Sequence, residues 1–327
     1  MTNPRNIIIY SCLIFSLSGF SAGSFPGAEI SNGLIRASFY LPDKDIGYYR
    51  GTRFDWSGVM PALEYKGHSY FGQWFPKYEP TQHDATMGPV EAFTPIGYDS
   101  PDQSASFFVI GIGRLLKQDD QPYSPFRYYE IADAGNWKTE SKKAKIEFRQ
   151  QIQGSGYSYD YKKTCILIEG KPELVLTHTL KNTGQHVIET DVFDHNFFSI
   201  DRQTTGPDFE IIFPFSLVDK KEGQGLGQLA GIDGQKIGFT RIFQNNETVY
   251  TELEGYKTTA ADYFIKMENH RTGAAVSISA DRPLSKLVFW ACSTAICPEP
   301  YMHFKIQQGD SVTWKITYHF YSCHIKP

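Results

Sequence analysis

The sequence predicts an all-β fold, and three observations support that prediction. Apolar and polar residues alternate with the period of a β-strand in several segments, most clearly at residues 312–320. No segment shows the apolar spacing of an amphipathic helix three turns long. Aromatic residues, which favour strands, make up 15% of the chain. A chain of 327 residues without an evident linker would suit one large antiparallel β-sandwich.

The N-terminal residues 1–23 have the pattern of a secretory signal peptide. Arg5 supplies a positive flank, residues 7–17 form a short apolar run, and residues 21–23 are a small-residue cleavage site. The run is shorter than the ~20 apolar residues that span a bilayer, and no later segment is apolar for long enough. The sequence therefore predicts a mature domain at residues 24–327 that is secreted or periplasmic after cleavage.

Composition excludes one class of partner and leaves the redox state open. The net charge is −4 and the basic residues are scattered, so no nucleic-acid surface is indicated.

Export would permit disulfides, and the four cysteines of the mature domain allow three complete pairings or four free thiols. Cys292 and Cys297 are close enough in sequence to pair across a tight loop. No spacing completes a zinc ligand set, so we expect neither a metal nor an organic cofactor. The four cysteines are Cys165, Cys292, Cys297 and Cys323.

Strand patterns recur along the chain between loops rich in glycine and aromatic residues. Residues 47–80 indicate short strands joined by ordered loops, and such loops often carry function. Residues 105–115 predict a strand ending in Gly111-Ile112-Gly113, and residues 116–137 predict a long loop. No helix pattern follows these glycines, so they do not indicate a dinucleotide-binding loop. The other predicted strands lie near residues 35–41, 145–148, 157–161, 165–168, 276–278, 287–291 and 312–320.

A predicted hairpin places a histidine in aromatic surroundings. Leu174, Leu176 and Leu180 alternate with polar residues, and Asn182-Thr183-Gly184 supplies a turn. A second strand then leads to His195, which is flanked by Asp194 and Asn196. A histidine can give or take a proton near neutral pH, so His195 is a candidate acid or base.

This stretch resembles the central motif of galactose mutarotase-like proteins, the aldose 1-epimerases. The resemblance implies a β-supersandwich of many antiparallel strands, with His195 acting on the ring oxygen of a sugar. A second motif, Cys297-Pro298-Glu299-Pro300-Tyr301, precedes the last predicted strand, where the resemblance implies a glutamate as general base. Glu299 takes that role. On its own, a glutamate between two prolines is more often a loop residue.

The resemblance also implies residues that hold the sugar hydroxyls. It assigns Arg53 and His83 to substrate binding, although Asp84 follows His83 where family members carry glycine. Arg53 and Asp55 are predicted on one face of a strand, where a guanidinium and a carboxylate can share vicinal hydroxyls. A structural ion pair is the competing interpretation. Asn196, beside His195, is predicted as a further substrate contact.

These motifs predict an exported aldose 1-epimerase-like enzyme that interconverts the anomers of a sugar by acid/base ring opening. Such chemistry requires no cofactor. Two alternatives stay open on the same fold: a non-catalytic carbohydrate-binding protein, and a relative of polysaccharide lyases or hydrolases. The sequence does not name the sugar or the oligomeric state.

Overall fold

A computed structural model describes residues 25–100, 105–154, 156–220 and 226–325. The predicted signal peptide lies outside these residues. Twenty-three antiparallel strands make up nearly all the regular structure of the described ranges. The helices found there are short: α1 at Leu226–Leu229, and 3₁₀ turns at Ile200–Arg202 and Ala260–Asp262. No helix of the described ranges is long and apolar enough to cross a membrane.

The strands are numbered β1 to β23 in chain order. Their bounds are β1 Gly27–Ser31, β2 Ile35–Tyr40, β3 Ala62–Tyr65, β4 His68–Ser69, β5 Gly88–Phe93, β6 Ser106–Val109, β7 Gly113–Leu116, β8 Ile131–Asp133, β9 Asn136–Lys142, β10 Lys145–Ile152, β11 Tyr159–Leu167, β12 Glu173–Asn182, β13 Ile188–Phe197, β14 Phe209–Ile212, β15 Val218–Asp219, β16 Ala230–Asp233, β17 Lys236–Phe239, β18 Thr248–Glu254, β19 Phe264–Asn269, β20 Ala274–Ala280, β21 Lys286–Cys292, β22 Ile296–Ile306 and β23 Ser311–Ser322.

Two large sheets form the body of the molecule. One has ten strands in the order β16-β17-β14-β19-β20-β23-β12-β11-β10-β9, and the other has six in the order β15-β18-β21-β22-β13-β5. Alternate side chains of both sheets are fully buried in one hydrophobic core, as in β23, where Trp314, Ile316, Tyr318 and Phe320 have no exposed surface. Two smaller sheets, β1-β2-β3-β4 and β6-β7-β8, complete the fold. The predicted all-β antiparallel sandwich is confirmed.

The predicted hairpin of β12 and β13 is wrong, because the two strands lie in different sheets. β12 pairs with β11 and β23, whereas β13 pairs with β22 and β5. The turn at Asn182 forms, and its side-chain amide donates to the carbonyls of His186 at 2.8 Å and Ile306 at 3.0 Å. It directs the chain across the core instead of back along the same sheet. Alternation shows which face of a strand is buried but not which strand lies beside it.

Two further segments differ from prediction. Neither glycine ends a strand: Gly111 lies in the turn between β6 and β7, and Gly113 begins β7, with φ of 80° and 140°. Residues 116–137 are not one long loop, because β8 and the start of β9 lie within them. The thiols of Cys165, Cys292 and Cys297 are free, so the suggested pairing of Cys292 with Cys297 is not formed.

Candidate active site in the cleft of the six-stranded sheet

The alternation of β13 divides its side chains between a cleft and the core. Phe193, His195 and Phe197 line a cleft of about 940 Å³ on the outer face of the six-stranded sheet. Asp194 and Asn196 point the other way, and both are buried. Successive residues of a strand face opposite sides of the sheet, so this division follows from the position of His195 alone.

Strand pairing brings His195 and Glu299 together. β13 and β22 are paired from Ile188 opposite Ile306 to Phe193 opposite Tyr301, and the same register continued by two residues places His195 opposite Glu299. The His195 Nε2 atom lies 3.1 Å from Glu299 Oε1, and the two side chains are 4% and 6% exposed. The predicted convergence of these two residues in one pocket is therefore the geometry that the structure has.

Burial shifts the pKa of both partners so that each favours its neutral form. Burial raises the pKa of Glu299 to about 8, against the opposing influence of Arg53. Burial also lowers the pKa of His195 well below its ordinary value, and Arg53 lowers it further. Near neutral pH the pair therefore holds one titrating proton, on the Glu299 carboxyl, and the His195 ring is neutral. His195 Nδ1 is buried and makes no hydrogen bond to any residue that the structure describes.

Arg53 and Asp84 form an ion pair at the side of the cleft. The Arg53 guanidinium donates to Asp84 Oδ1, and its carbon lies 4.7 Å from the ring centres of both Phe54 and Phe126. Asp84 Oδ2 lies 2.9 Å from His83 Nδ1. Burial alone would raise the pKa of Asp84, but His83 and Arg53 lower it below the usual value. The cleft therefore carries a fixed carboxylate and a fixed guanidinium.

Aromatic rings form most of the remaining wall. The Phe193 and Tyr301 rings stack at 4.4 Å, and the Trp74 and Phe197 rings stack at 4.8 Å. Trp290 packs edge-on against Trp74 at 5.5 Å. Flat apolar faces of this kind suit the C–H faces of a sugar ring. The sequence predicted aromatic surroundings for His195 but did not assign individual rings to the site. The spacing offered that signal, because Phe193 and Phe197 lie two residues from His195 and Tyr301 lies two from Glu299.

Three of the predicted substrate contacts lie away from the cleft surface. Asp55 is fully buried, and its carboxylate accepts hydrogen bonds from Ser57 at 2.6 Å and Tyr161 at 2.8 Å. It does not share a strand with Arg53, because no strand covers these residues. Its position is that of a core residue rather than of a sugar contact, and Arg53 pairs with Asp84 instead of forming the alternative ion pair with Asp55.

Asn196 and His83 are also displaced from their predicted places. The Asn196 side chain is buried in the core, where it donates to the Pro298 carbonyl at 3.0 Å and accepts from Tyr318 at 2.7 Å. His83 does not line the cleft but lies behind Asp84, with its ring against Phe126. Asp84, which departs from the family pattern, takes the position at the cleft that His83 was expected to hold.

Comparison by sequence alone finds no relative: the chain matches no protein-family model and no curated protein. Solved structures do resemble it. The GalM/aldose epimerase homologue from C. elegans superposes with a TM-score of 0.56 at 12% identity, over 91% of this chain and 99% of that one. A galactose mutarotase-like protein from Clostridium acetobutylicum gives a TM-score of 0.55 at 12% identity, over 90% and 95% of the two chains.

A galactose mutarotase related enzyme from Lactobacillus acidophilus gives a TM-score of 0.54 at 11% identity, over 92% of this chain and all of that one. The chain therefore has the galactose mutarotase-like fold. The resemblance stated from the sequence motifs is confirmed at the level of the fold, which is what similarity at this identity shows.

Proposed function

We propose that this protein is an aldose 1-epimerase-like isomerase, with His195 and Glu299 as its acid/base pair. The observation that carries the proposal is the 3.1 Å contact between His195 Nε2 and Glu299 Oε1 within an aromatic cleft. Fold similarity to aldose epimerase homologues agrees with it. Perturbed acid and base groups that face one small volume are typical of catalytic sites.

Anomer interconversion needs one proton to be given and one to be taken. A base removes the proton of the anomeric hydroxyl while an acid protonates the ring oxygen, and the C1–O5 bond breaks to leave an aldehyde. Rotation about the C1–C2 bond and the reverse transfers close the ring as the other anomer. The cycle consumes no proton, so a pair that holds one proton returns to its starting state.

The two residues take the roles that the family resemblance implies. Glu299 accepts the proton of the anomeric hydroxyl, and His195 protonates the ring oxygen. Burial places the titrating proton on Glu299, so it must first pass to His195 across the 3.1 Å contact. Arg53 favours the ionised form of Glu299 and Asp84 favours the protonated form of His195, while each opposes the other half of the transfer. An entering sugar then separates the two side chains and hydrogen-bonds to both.

The rest of the cleft supplies binding and orientation. The Arg53–Asp84 ion pair offers donors and acceptors for ring hydroxyls, as an arginine fork and a carboxylate commonly do. The stacked rings of Phe193 and Tyr301 offer an apolar surface to one sugar face. We keep the predicted role of Arg53 in substrate binding. Asp84 takes the role of the carboxylate that was predicted for Asp55, and it occupies the place at the cleft that was predicted for His83.

Two-dimensional exchange NMR on a panel of hexoses, uronates and their phosphates tests the proposal. We expect the wild-type chain to accelerate α/β exchange of at least one sugar. The Glu299→Gln and His195→Asn variants should lose roughly 10²–10⁴-fold of that rate. Glu147→Gln on β10 and His68→Asn on β4 are matched controls that should keep it.

Two other outcomes of this experiment would favour the alternative functions. Binding of sugars without exchange in the wild type would contradict catalysis and favour a carbohydrate-binding protein. A new ultraviolet-absorbing double bond in an oligouronate would instead indicate a lyase.

A further inference from the structure

A cluster of metal-binding residue types lies on the outer face of the ten-stranded sheet. Glu268 on β19, His270 just after it and Cys323 just after β23 each present one ligand atom, and these atoms lie within 4.8 Å of one another. Alternation continued just past each strand end places His270 on the side of Glu268 and Cys323 on the side of Tyr321. We propose that Glu268, His270 and Cys323 bind a Zn²⁺ ion.

The orientation of His270 points to a ligand. Its side chain is 9% exposed, and Nδ1 lies 3.0 Å from the carbonyl oxygen of His324. A carbonyl only accepts hydrogen bonds, so Nδ1 carries the proton and the neutral ring has its lone pair on Nε2. This Nε2 is buried and has no hydrogen-bond partner among the described residues. A buried, unsatisfied ring nitrogen costs free energy unless something occupies the space before it.

The atoms in front of Nε2 are suited to a cation rather than to a hydrogen bond. Glu268 Oε2 lies 3.8 Å and Glu210 Oε1 lies 4.0 Å from Nε2, both beyond hydrogen-bond length. Two ligand atoms on a tetrahedral zinc lie roughly 3.3–3.8 Å apart, given bonds of about 2.0–2.3 Å. The cluster therefore needs to contract by at most about 1.5 Å to enclose the ion.

Charges around the cluster favour the same occupant. Glu210 on β14 is the direct cross-strand partner of Glu268, and like charges in that position repel. Lys236 Nζ lies 3.1 Å from Glu210 Oε1, and Tyr321 donates to Glu268 Oε1 at 2.8 Å. These contacts leave the Glu268 Oε2 atom facing His270. A divalent cation would relieve the repulsion, and the tyrosine would orient its ligand.

The donor set selects the class of metal. One imidazole, one thiol and one carboxylate suit Zn²⁺, whereas Mg²⁺ and Ca²⁺ prefer oxygen ligands alone. Binding would release the thiol proton of Cys323, and water or Glu210 would complete four ligands. None of these residues lines the aromatic cleft. The ion would tie the residue after β23 to the end of β19 across the intervening β20, which is a structural role.

Metal content of the full chain without a histidine tag tests the site. After removal of metal by a chelator, excess ZnCl₂ is added and unbound ion is removed by gel filtration. We expect about one zinc per chain in the wild type, with most of it lost in His270→Gln and Cys323→Ser. His68→Gln and Cys292→Ser are the matched controls and should keep it.

Cobalt provides an independent readout. Co²⁺ added to the metal-free wild type should produce a thiolate-to-metal absorption band that Cys323→Ser abolishes, while circular dichroism shows both chains folded. Zinc uptake by the wild type no higher than by His270→Gln would overturn the proposal. So would a cobalt band that persists in Cys323→Ser.

Discussion

Two glutamate–histidine pairs in this fold have the same chemical groups in different surroundings. Glu91 Oε1 lies 2.7 Å from His178 Nε2 between the two large sheets, and Glu299 Oε1 lies 3.1 Å from His195 Nε2 at the cleft. All four side chains are almost fully buried. Glu91 also forms an ion pair with Lys163, whose side chain has no exposed surface. No lysine contacts Glu299 in the part of the chain described.

Lys163 is the reason that the pKa values of the two glutamates shift in opposite directions from the ordinary value. Burial would raise the pKa of each, but Lys163 and His178 lower that of Glu91 to about 2. Arg53 and Lys286 act on Glu299 in the same direction but do not outweigh its burial, and its pKa is raised to about 8. Glu91 therefore stays ionised at neutral pH, whereas the Glu299 carboxyl exchanges its proton near pH 8. A buried glutamate–histidine pair becomes a candidate acid/base pair where it lacks a counter-ion and borders a cleft.

The largest expected effect comes from removing the counter-ion of the core pair. Lys163→Met should lower the free energy of unfolding by roughly 3–5 kcal/mol, because it removes the lysine counter-ion and leaves the buried Glu91 carboxylate with only its histidine partner. Urea unfolding at pH 7 measures this. The neighbouring, half-buried Lys162 is the matched control, and Lys162→Met should change stability by about 0.5 kcal/mol or less. Equal losses in both variants would contradict a special role for Lys163.

A smaller effect of opposite sign is expected at the cleft. The folded pKa of Glu299, about 8, exceeds the ordinary value of 4.5, so folding stability from this group falls as pH rises between those values. Glu299→Gln removes this dependence. The variant should gain roughly 2–5 kcal/mol over the wild type at pH 9 and little at pH 5, as denaturant unfolding at the two pH values would show. A gain that is the same at both would mean that Glu299 is ionised throughout.

The smallest expected effect is on the pH dependence of catalysis. Above a pH of about 8 the Glu299–His195 pair loses its single proton, because His195 is already neutral. The rate of anomer exchange, kcat/KM, should then fall by about tenfold per pH unit. Exchange NMR on the active sugar between pH 6 and 10 measures the profile. A rate that keeps rising through pH 9 would show that the pair works without a proton.

The sequence predicted this site better than its surroundings, for physical reasons. His195 and Glu299 lie in recognisable motifs, and the pairing of β13 with β22 brings them together. Asn196 was misplaced although alternation puts it on the face opposite His195, and Asp55 was misplaced because the predicted strand over residues 53–55 does not form. The predicted hairpin failed for a different reason, because alternation does not state which strand lies beside which.

The metal-binding cluster was not predicted because its parts are distant in sequence. Glu268 and His270 precede Cys323 by more than fifty residues, and no short spacing links them. They meet only because β19 and β23 both pair with β20. Contacts between residues on either side of an intervening strand depend on strand order, which local sequence patterns do not contain.

The proton affinity of Glu299 is the central claim and can be measured directly. Carbon-13 NMR of the chain labelled at the glutamate carboxyl carbons reports each titration separately. We predict one glutamate resonance that titrates with a midpoint near pH 8 and is absent from Glu299→Gln. The Glu91 resonance should report an ionised carboxylate down to low pH. If the resonance lost in Glu299→Gln titrates below a pH of about 5, with the ordinary glutamates, the account of this site is wrong.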